Sequence, residues 1–301
     1  MRVGVSIRSF YPPGESRALV GSMVERAAAA RRAGLDSLFV GDHHGTPTPY
    51  IQNVPILGRL LAEWGDAPAG ALFLLPLWDP VLLAEQIGTL AAIAPGRFIA
   101  QCCVGADEAQ FRALGRDVRS RARDFEERFE LLRRLLAGEK VVREPGGPPV
   151  GIQPVPAEQV EYWIGAEVPR AIDRAARLAD AWLVGPNVTR EEASRLLEYY
   201  LTRCAEYGRT PRATPIRRNI HVAGSETELE GEIRPALARA GLGVDPQCTV
   251  VGTVDQVVES FRDLAARGFS DVIIRHFHDD PAQVLASTER LAEVRQRVLD
   301  A

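Results

Sequence analysis

The feature that most constrains this chain is a regular alternation of short apolar segments with longer segments of helical periodicity. Eight apolar or β-branched segments are predicted to be strands: 2–8, 36–41, 69–76, 97–105, 160–165, 180–185, 214–224 and 269–277. Several are almost continuously apolar, which is typical of parallel strands that helices cover on both faces. Eight strands, each followed by at least one helix, predict an α/β fold, a single (β/α)8 TIM barrel over residues 1–301.

The main alternative fold is an open, doubly wound sheet. Such a sheet normally has a glycine-rich fingerprint after its first strand, and RSFYPPGES, which follows the first strand here, has none. Two segments interrupt the alternation. Residues 138–159 are rich in proline and glycine and predict a surface excursion or short hairpin after strand 4. Residues 225–253 hold one helical segment and an extra piece, so we interpret both segments as insertions in one domain, the second between strands 7 and 8.

Composition excludes several classes of protein. The net charge is −4 with both signs interleaved, so no basic stripe predicts a nucleic-acid partner. No apolar segment is long enough to span a bilayer, and the N-terminus lacks the apolar core of a signal peptide. None of the four cysteines lies in a CxxC arrangement, and the neighbours Cys102 and Cys103 are unsuited to a structural zinc site. We therefore expect a reduced, cytoplasmic protein.

Side chains capable of chemistry follow two of the predicted strands. Asp42, His43 and His44 come directly after strand 2 in VGDHHG, while His276 and His278 come at the end of strand 8. In a TIM barrel the catalytic groups lie at the C-terminal strand ends, and strands 8, 1 and 2 are neighbours. We therefore expect all four histidines at one mouth. Because adjacent residues of a strand point to opposite faces, only one of the pair His43 and His44 is expected to face inward, and packing is the alternative role for each histidine.

A metal-dependent hydrolase is the competing class of enzyme, since histidines and an aspartate are common metal ligands. The barrel amidohydrolases place an HxH pair at the end of strand 1, where this chain has no histidine. HFH at 276–278 has the right spacing but lies on another strand. No metal site is therefore predicted.

Segments along most of the chain resemble, in order, the bacterial-luciferase-like flavin-dependent oxidoreductases. They are GLDSLFVGDHH and the segments 75–98, 104–115, 119–139, 163–183 and 250–274. The resemblance implies a barrel that uses reduced FMN with molecular oxygen, or the deazaflavin coenzyme F-420, on a small organic substrate. It also implies a homodimer and, for FMN, a separate flavin reductase that supplies the reduced cofactor.

The resemblance also implies roles for particular residues. It places His43 and Cys103 beside the reactive part of the flavin, His43 as general base or hydrogen-bond donor and Cys103 as a small packing residue. Asp42 would fix the tautomer of His43 or shape the pocket, and His44 would support the loop or the substrate pocket. The family often has a bulge with a non-prolyl cis peptide behind the ring, and its counterpart here is Gly70–Leu72, so Gly70 and Ala71 are expected at the cofactor.

The cofactor phosphate and the substrate are expected at other positions. For the phosphate the resemblance implies an arginine after strand 4 and the turn that opens the helix after strand 5, where a helix N-terminus offers free N–H groups. The corresponding residues are Arg121, Glu167, Val168 and Arg170. Trp78 is expected to wall the flavin slot. The residues expected to contact substrate are Tyr11, Trp78, His276 and His278.

Two departures from the family pattern affect the choice of cofactor. Ala106 stands where the best-known deazaflavin enzymes have a glutamate, which argues against a sugar-phosphate deazaflavin dehydrogenase. Asp42 stands where luciferases proper have a glutamate. The sequence therefore predicts an FMN-dependent monooxygenase. A deazaflavin-dependent reductase or dehydrogenase and a flavin-binding protein without turnover are the alternatives, and no substrate is predicted.

Overall fold

Strands and helices alternate along residues 1–241 and 243–300, which the computed structural model describes. The strands are β1 (Arg2–Ile7), β2 (Ser37–Val40), β3 (Ala69–Leu74), β4 (Phe98–Cys103), β5 (Val141–Val142), β6 (Pro149–Val150), β7 (Glu161–Gly165), β8 (Ala181–Leu183), β9 (Pro215–Val222), β10 (Val250–Gly252) and β11 (Asp271–His276). The helices are α1 (Ser16–Arg32), α2 (Asn53–Trp64), α3 (Pro80–Ile93), α4 (Glu108–Ala113), α5 (Arg121–Leu136), α6 (Pro169–Leu178), α7 (Arg190–Glu206), α8 (Glu226–Glu228), α9 (Arg234–Ala238), α10 (Val254–Ala266) and α11 (Pro281–Leu299).

Several helices begin at residues that suit a helix N-terminus. The side chains of Asp79, Thr189 and Asp280 each accept a hydrogen bond from a backbone N–H of the first turn of α3, α7 and α11. Proline occupies the first position of α3, α6 and α11, where its missing N–H has no intrahelical partner to lose. In the described part of the chain, no helix combines the length and apolar character needed to cross a membrane.

Nine strands form one parallel sheet, in the order β10-β9-β11-β1-β2-β3-β4-β7-β8. The sheet is curled, and residues at its β8 end reach β9. Ala181 and Val184 form parallel bridges with Ala213 and Ile216, and the Val184 N–H donates to the carbonyl oxygen of Pro215 at 3.1 Å. Each of the eight predicted strand segments contains one strand of this sheet.

The two segments that interrupt the alternation contain the remaining strands. In 138–159, β5 and β6 pair antiparallel as a short hairpin, one of the two structures expected there. In 225–253, β10 pairs parallel with β9 through Val250–Gly252 and Ile220–Val222. This strand was not predicted, because three residues are too few to show a strand period.

Apolar side chains fill both faces of the sheet. A small cluster of buried residues lies on the inner face of the curl: Phe39, Ile99, Trp163, Ala181, Leu183, Ala213 and Ile273. The alternate residues of the same strands join a much larger cluster with the surrounding helices, as Leu38 and Val40 of β2, on either side of Phe39, do. Both faces of the strands are therefore buried, which explains why the strand segments read as continuous apolar runs.

Strands β3 and β4 approach each other closely at Gly70. Six consecutive residue pairs hold the two strands in parallel register, from Ala69 with Phe98 to Leu74 with Cys103. A Cβ on Gly70 would overlap the carbonyl oxygen of Ile99, so the position requires glycine. The cis peptide bulge predicted for Gly70–Leu72 is wrong, because β3 pairs without interruption and, among the residues the structure describes, the only cis peptide joins Gln153 and Pro154.

The histidines of β9 and β11 are packed into the interior. His221 is fully buried, lies 5.5 Å from the ring of His278, and has no hydrogen-bond partner at either ring nitrogen among the described residues. Burial lowers the pKa of His221 to about 4. His276 is also buried, its Nε2 lies 3.0 Å from the Ser287 hydroxyl on α11, and burial lowers its pKa well below the usual value. Both rings are therefore neutral at neutral pH.

The first prediction concerns Gly70. Gly70→Ala is expected to lower the free energy of unfolding by more than about 3 kcal/mol, because the added methyl group forces β3 away from β4. Gly58→Ala is the matched control, since a Cβ there would approach only Leu90 Cδ2, at 3.8 Å, and alanine favours the α2 helix by about 1 kcal/mol. Urea unfolding followed by tryptophan fluorescence measures both variants. Equal loss of stability in the two would contradict the close strand approach.

The second prediction concerns pH. The unfolded chain binds a proton at His221 below pH 6.5, whereas the folded chain does so only near pH 4. The contribution of His221 to the free energy of unfolding is therefore fully present above pH 6.5. It falls by about 3 kcal/mol as the pH falls towards 4. His221→Phe, which does not titrate, should show a shallower fall between pH 6.5 and 5 in urea unfolding. A slope identical to that of the unaltered protein would show that His221 does not contribute.

Candidate active site

The carboxylate of Asp42, just beyond β2, ties together two loops at the C-terminal edge of the sheet. Its side chain is fully buried, and Oδ2 accepts hydrogen bonds from the Leu74 backbone N–H and from the Trp78 indole N–H, both at 2.8 Å. Oδ1 lies 3.0 Å from Nε2 of His44. Asp42 thus fixes the turn after β3 and pairs with His44. The tautomer-fixing role predicted for Asp42 towards His43 is not what the contacts show, because both oxygens face other partners.

The turn after β3 is braced from a second side by Arg128 of α5. Its Nη1 donates to the carbonyl oxygens of Pro76 at 2.5 Å and Trp78 at 2.6 Å. Trp78 is half-buried, and its ring packs edge-on against His44, with centroids 5.5 Å apart. The position of Trp78 is therefore set by Asp42 at the indole and by Arg128 at the backbone. Nothing in the sequence distinguished Arg128 from the solvated arginines of its helix.

His43 is half-buried and lies between an aromatic ring and an amide. Its ring centroid is 5.6 Å from that of Tyr50, and its Nε2 is 3.5 Å from the side-chain nitrogen of Gln110. Burial lowers the pKa of His43, an effect that the negative charges of Asp107 and Asp42 partly offset. The imidazole is therefore neutral at neutral pH and has the protonation state of a proton acceptor.

Gln110 of α4, which was not predicted, connects the loops after β2 and β4. It is 4% exposed, its carbonyl oxygen accepts from the His44 backbone N–H at 2.8 Å, and its amide nitrogen donates to Asp107 at 3.3 Å. The same nitrogen is the one that faces His43. The backbone of the DHH segment and the ring of His43 are thus both held by one side chain. A glutamine in the first turns after a strand carries no signal that would have marked it.

Small residues and a thiol line the mouth of the curl between β4 and β8. A Cβ on Gly165 would lie 2.5 Å from the Cys103 sulfur, and one on Gly185 would overlap the Glu167 carboxylate, so these side chains cover the ends of β7 and β8. Burial raises the pKa of the Cys103 thiol to about 11. A protonated thiol agrees with the packing role expected of Cys103. The described residues include no group of three or more His, Cys, Asp or Glu side chains placed to hold a metal ion.

Two arginines that the sequence analysis did not single out face the mouth from β9 and β11. Arg217 is in register with Ile273 of the inner cluster, and Arg275 follows Ile273 by two residues, so both share the inner face. Nη2 of Arg217 donates to the Ser6 hydroxyl at 3.2 Å, and Nε of Arg275 donates to the Asn219 side chain at 3.0 Å. Arg275 follows the apolar residues Val272–Ile274 of its predicted strand, which was a detectable signal, whereas Arg217 is followed by Arg218 and Asn219 and carried none.

Three of the four predicted substrate contacts have other surroundings. Tyr11 is 5% exposed and its ring packs under the guanidinium of Arg26 on α1, so the prediction that it contacts substrate does not fit its burial. His276 is buried against Ser287, outside the mouth, so the prediction that it contacts substrate does not fit its burial either. His278 is half-buried beside His221, and its Nδ1 accepts from the Asp280 N–H. Only Trp78 lies with the Asp42 group.

The residues expected at a phosphate lie where two helices begin. Arg121 is the first residue of α5, and its Nη1 donates to the Val118 carbonyl at 2.8 Å. Val168 is the N-cap of α6 and offers no side-chain cap to it; Glu167, Val168 and Arg170 are exposed. Near these ends the two helices are joined by Glu126, which accepts from Arg174 at 2.8 Å. The uncapped start of α6 has the positive dipole end that favours an anion. Pro169 has no N–H, and the Ala171 and Ile172 N–H groups donate to the Val168 carbonyl oxygen, which leaves the Arg170 N–H for an anion.

Comparison with known proteins finds relatives in sequence and solved structures of similar fold. The chain is 28% identical over 174 residues to an F420-dependent glucose-6-phosphate dehydrogenase of Nakamurella multipartita, over 54% of this chain and 51% of that protein. It thus spans about half the length of that relative. Among solved structures it resembles the monooxygenase RslO1 of Streptomyces bottropensis, with a TM-score of 0.82 and 20% identity over 97% of this chain and 98% of the other.

A second solved structure is the oxygenating constituent of 3,6-diketocamphane monooxygenase of Pseudomonas putida, in complex with FMN. It has a TM-score of 0.79 and 18% identity, and the similarity covers 99% of this chain and 98% of the other. At these identities both structures establish the fold alone. The family model of the luciferase-like monooxygenases matches residues 1–242, which is well over half of the chain. The protein therefore belongs to the luciferase-like monooxygenase family.

Proposed function

We propose that this protein is a monooxygenase that uses reduced FMN and molecular oxygen on a small organic substrate. Membership of an oxidoreductase family is the coarser statement on which the proposal rests. The single observation that carries the proposal is the neutral, half-buried His43 at the end of β2, held by Gln110 beside a braced wall of Trp78 and Asp42. Proton acceptors of this kind, placed at C-terminal strand ends, are the usual catalytic groups of barrel enzymes.

The residues present fit a flavin. The flavin ring needs a largely apolar slot with a few fixed polar groups. Leu74, Trp78 and Cys103 provide one wall of such a slot at the ends of β3 and β4. A phosphate needs cations and free N–H groups, and the uncapped start of α6 with Arg170, together with Arg121 of α5, supplies them. We assign Gly70 and Ala71 to the strand behind this wall, and Glu167 and Val168 to the turn at the phosphate.

The chain's own contribution to the chemistry is positional and acid–base. Bound reduced FMN would supply the electrons that activate oxygen. His43 accepts or returns a proton at its imidazole, which burial keeps neutral. Gln110 orients that ring, His44 and Asp42 hold the adjoining wall, and Trp78 excludes water from one side of the slot.

A deazaflavin-dependent reductase or dehydrogenase on the same scaffold is the second candidate. The observation that favours it is the F420-dependent relative, which aligns with half of this chain. The same slot and the same His43 would serve it, with F-420 in place of FMN. A flavin-binding protein without turnover is the third candidate, and would retain the slot alone.

The proposal extends to the fold and the partners. We propose one (β/α)8 barrel domain over 1–301, with 138–159 and 225–253 as insertions; the bridges from β8 to β9 support closure of the barrel. We also propose that the protein works as a homodimer and that a separate reductase supplies its reduced FMN.

The third prediction tests the cofactor. Reduced FMN should quench tryptophan fluorescence, mainly that of Trp78, because Trp64, Trp163 and Trp182 are at most 1% exposed. Arg121→Ala should weaken the binding of FMN about ten- to a hundredfold and leave the binding of riboflavin unchanged, because only FMN carries the phosphate. This is the usual effect of losing a charge-assisted hydrogen bond. Arg119→Ala is the matched control, since Arg119 is exposed and paired with Asp117.

The outcomes separate the candidates. Much tighter binding of reduced F-420 than of reduced FMN would replace the monooxygenase by the deazaflavin enzyme. Binding of neither would remove the flavin function altogether. Equal weakening of FMN and riboflavin by Arg121→Ala would show that Arg121 is structural.

The fourth prediction tests His43 as the proton acceptor. Its pKa, measured by NMR on protein with labelled histidines, should lie below 6.5, and Gln110→Glu should raise it by placing a carboxylate 3.5 Å away. His43→Ala should slow single-turnover reoxidation of protein-bound reduced FMN about a hundredfold, with the melting temperature unchanged. The acid limb of that rate should move to higher pH in Gln110→Glu. A fully active His43→Ala protein would remove His43 from the chemistry.

A further inference from the structure

Arg217 and Arg275 bring two positive charges to the inner face of the sheet with no carboxylate to balance them. In the described part of the chain, neither guanidinium lies within 4.0 Å of an Asp or Glu oxygen. Arg275 is paired in register with Asn219, two residues beyond Arg217 on β9, so the two arginines are diagonal neighbours on adjacent strands. Such neighbours lie about 7–8 Å apart at the backbone, a spacing that long side chains bridge.

Neutral groups orient the pair and leave most of its donors unused. Arg275 donates from Nε to Asn219 at 3.0 Å and from Nη2 to the carbonyl oxygen of Gly243 at 3.2 Å. Asn219 is fully buried, and its own amide donates to the same Gly243 carbonyl, which fixes its orientation. Among the described residues, Arg217 donates one side-chain hydrogen bond, to Ser6. A guanidinium has five N–H groups, so donors on both side chains remain available.

At the opposite end of the sheet, by contrast, arginines are paired with carboxylates. There Arg2 pairs with Asp271 at 2.7 Å, Arg97 with Glu161 at 3.0 Å and Arg295 with Asp36 at 2.7 Å. At the mouth, burial lowers the pKa of Arg275 to about 9, and the neighbouring charges of Arg217 and Arg8 add to that effect. Arg8 differs from the pair, because Asp279 lies 2.7 Å from it. An uncompensated, half-buried pair of like charges costs folding free energy unless an anion binds to it.

We propose that Arg217 and Arg275 together bind an oxyanion of the substrate, so that the substrate class is a small organic anion such as a carboxylate. Describing this ligand as the substrate rests on the proposed oxidoreductase function. Planar guanidinium groups match carboxylate, sulfonate and phosphate oxygens through paired hydrogen bonds.

The placement of the pair distinguishes a substrate anion from the cofactor phosphate. The two arginines lie within β9 and β11, whereas the expected phosphate residues lie at the starts of α5 and α6, the helices that follow β4 and β7. Tyr50 is near enough to both guanidinium groups to influence their pKa values, and its ring lies 5.6 Å from that of His43. An anion at the pair would therefore be on the His43 side of the mouth.

The test uses benzoate as the probe and benzamide as its neutral counterpart, by isothermal titration at low salt on the full chain without flavin. Benzoate is expected to bind at least tenfold more tightly than benzamide. Arg217→Met and Arg275→Met should each weaken benzoate tenfold or more, and Arg32→Met, which removes an exposed charge on α1, should not. Without benzoate, both mouth variants should melt at or above the temperature of the unaltered protein, because each removes an unbalanced, half-buried charge.

Other results would overturn the proposal. Equal binding of benzoate and benzamide, or benzoate binding that survives both substitutions, would remove the anion site. A lower melting temperature of both variants, with benzoate binding unchanged, would make the arginines structural. Loss of FMN but not riboflavin affinity would assign the pair to the cofactor phosphate. If neither FMN nor F-420 binds while benzoate binding still depends on the pair, the proposed function fails and the anion site stands.

Discussion

The parallel hydrogen-bond ladder is the constraint on which the rest of this structure depends. Because all nine strands of the main sheet run in the same direction, every C-terminal strand end lies at one edge, and the loops that follow are brought together there. The curl turns one face inward, where Phe39, Trp163 and Ile273 leave no room for polar groups. The polar residues of the inner face are therefore confined to its ends. Arginines balanced by carboxylates occupy one end, and Arg217 and Arg275 occupy the other.

Much of this fold could be predicted from the sequence because its strands are buried on both faces. Apolar runs such as DSLFVG and AGALFLLP survive as β2 and β3 with nearly their predicted bounds. The three residues of β10 could not be predicted, since their pairing with β9 depends on a partner 30 residues away in the chain. The cis peptide expected near Gly70 failed for a related reason. A glycine in a strand indicates a close approach, but only the neighbouring strand shows that the approaching group is the Ile99 carbonyl.

The candidate site was predictable only in part, because a strand end fixes where a side chain begins and not where it points. The DHH segment does lie at the C-terminal edge, with Trp78 beside it. The partners within it could not be predicted: one oxygen of Asp42 accepts from Leu74 and Trp78, which lie more than 30 positions away in the chain. Tyr11 and His276 were expected at the mouth from position alone, and helices α1 and α11 cover them instead. Gln110 and Arg217 act through contacts that no local pattern encodes.

The two hydrogen bonds of Gln110 have a consequence for how this scaffold tolerates change. Loops of barrel enzymes are often treated as independent modules that are exchanged one at a time to alter specificity. Here the loop after β2 and the segment after β4 share one buried side chain, so replacing either would leave the Gln110 amide or the His44 N–H without its partner. The two loops therefore depend on each other, and a chimera would have to exchange both of them together.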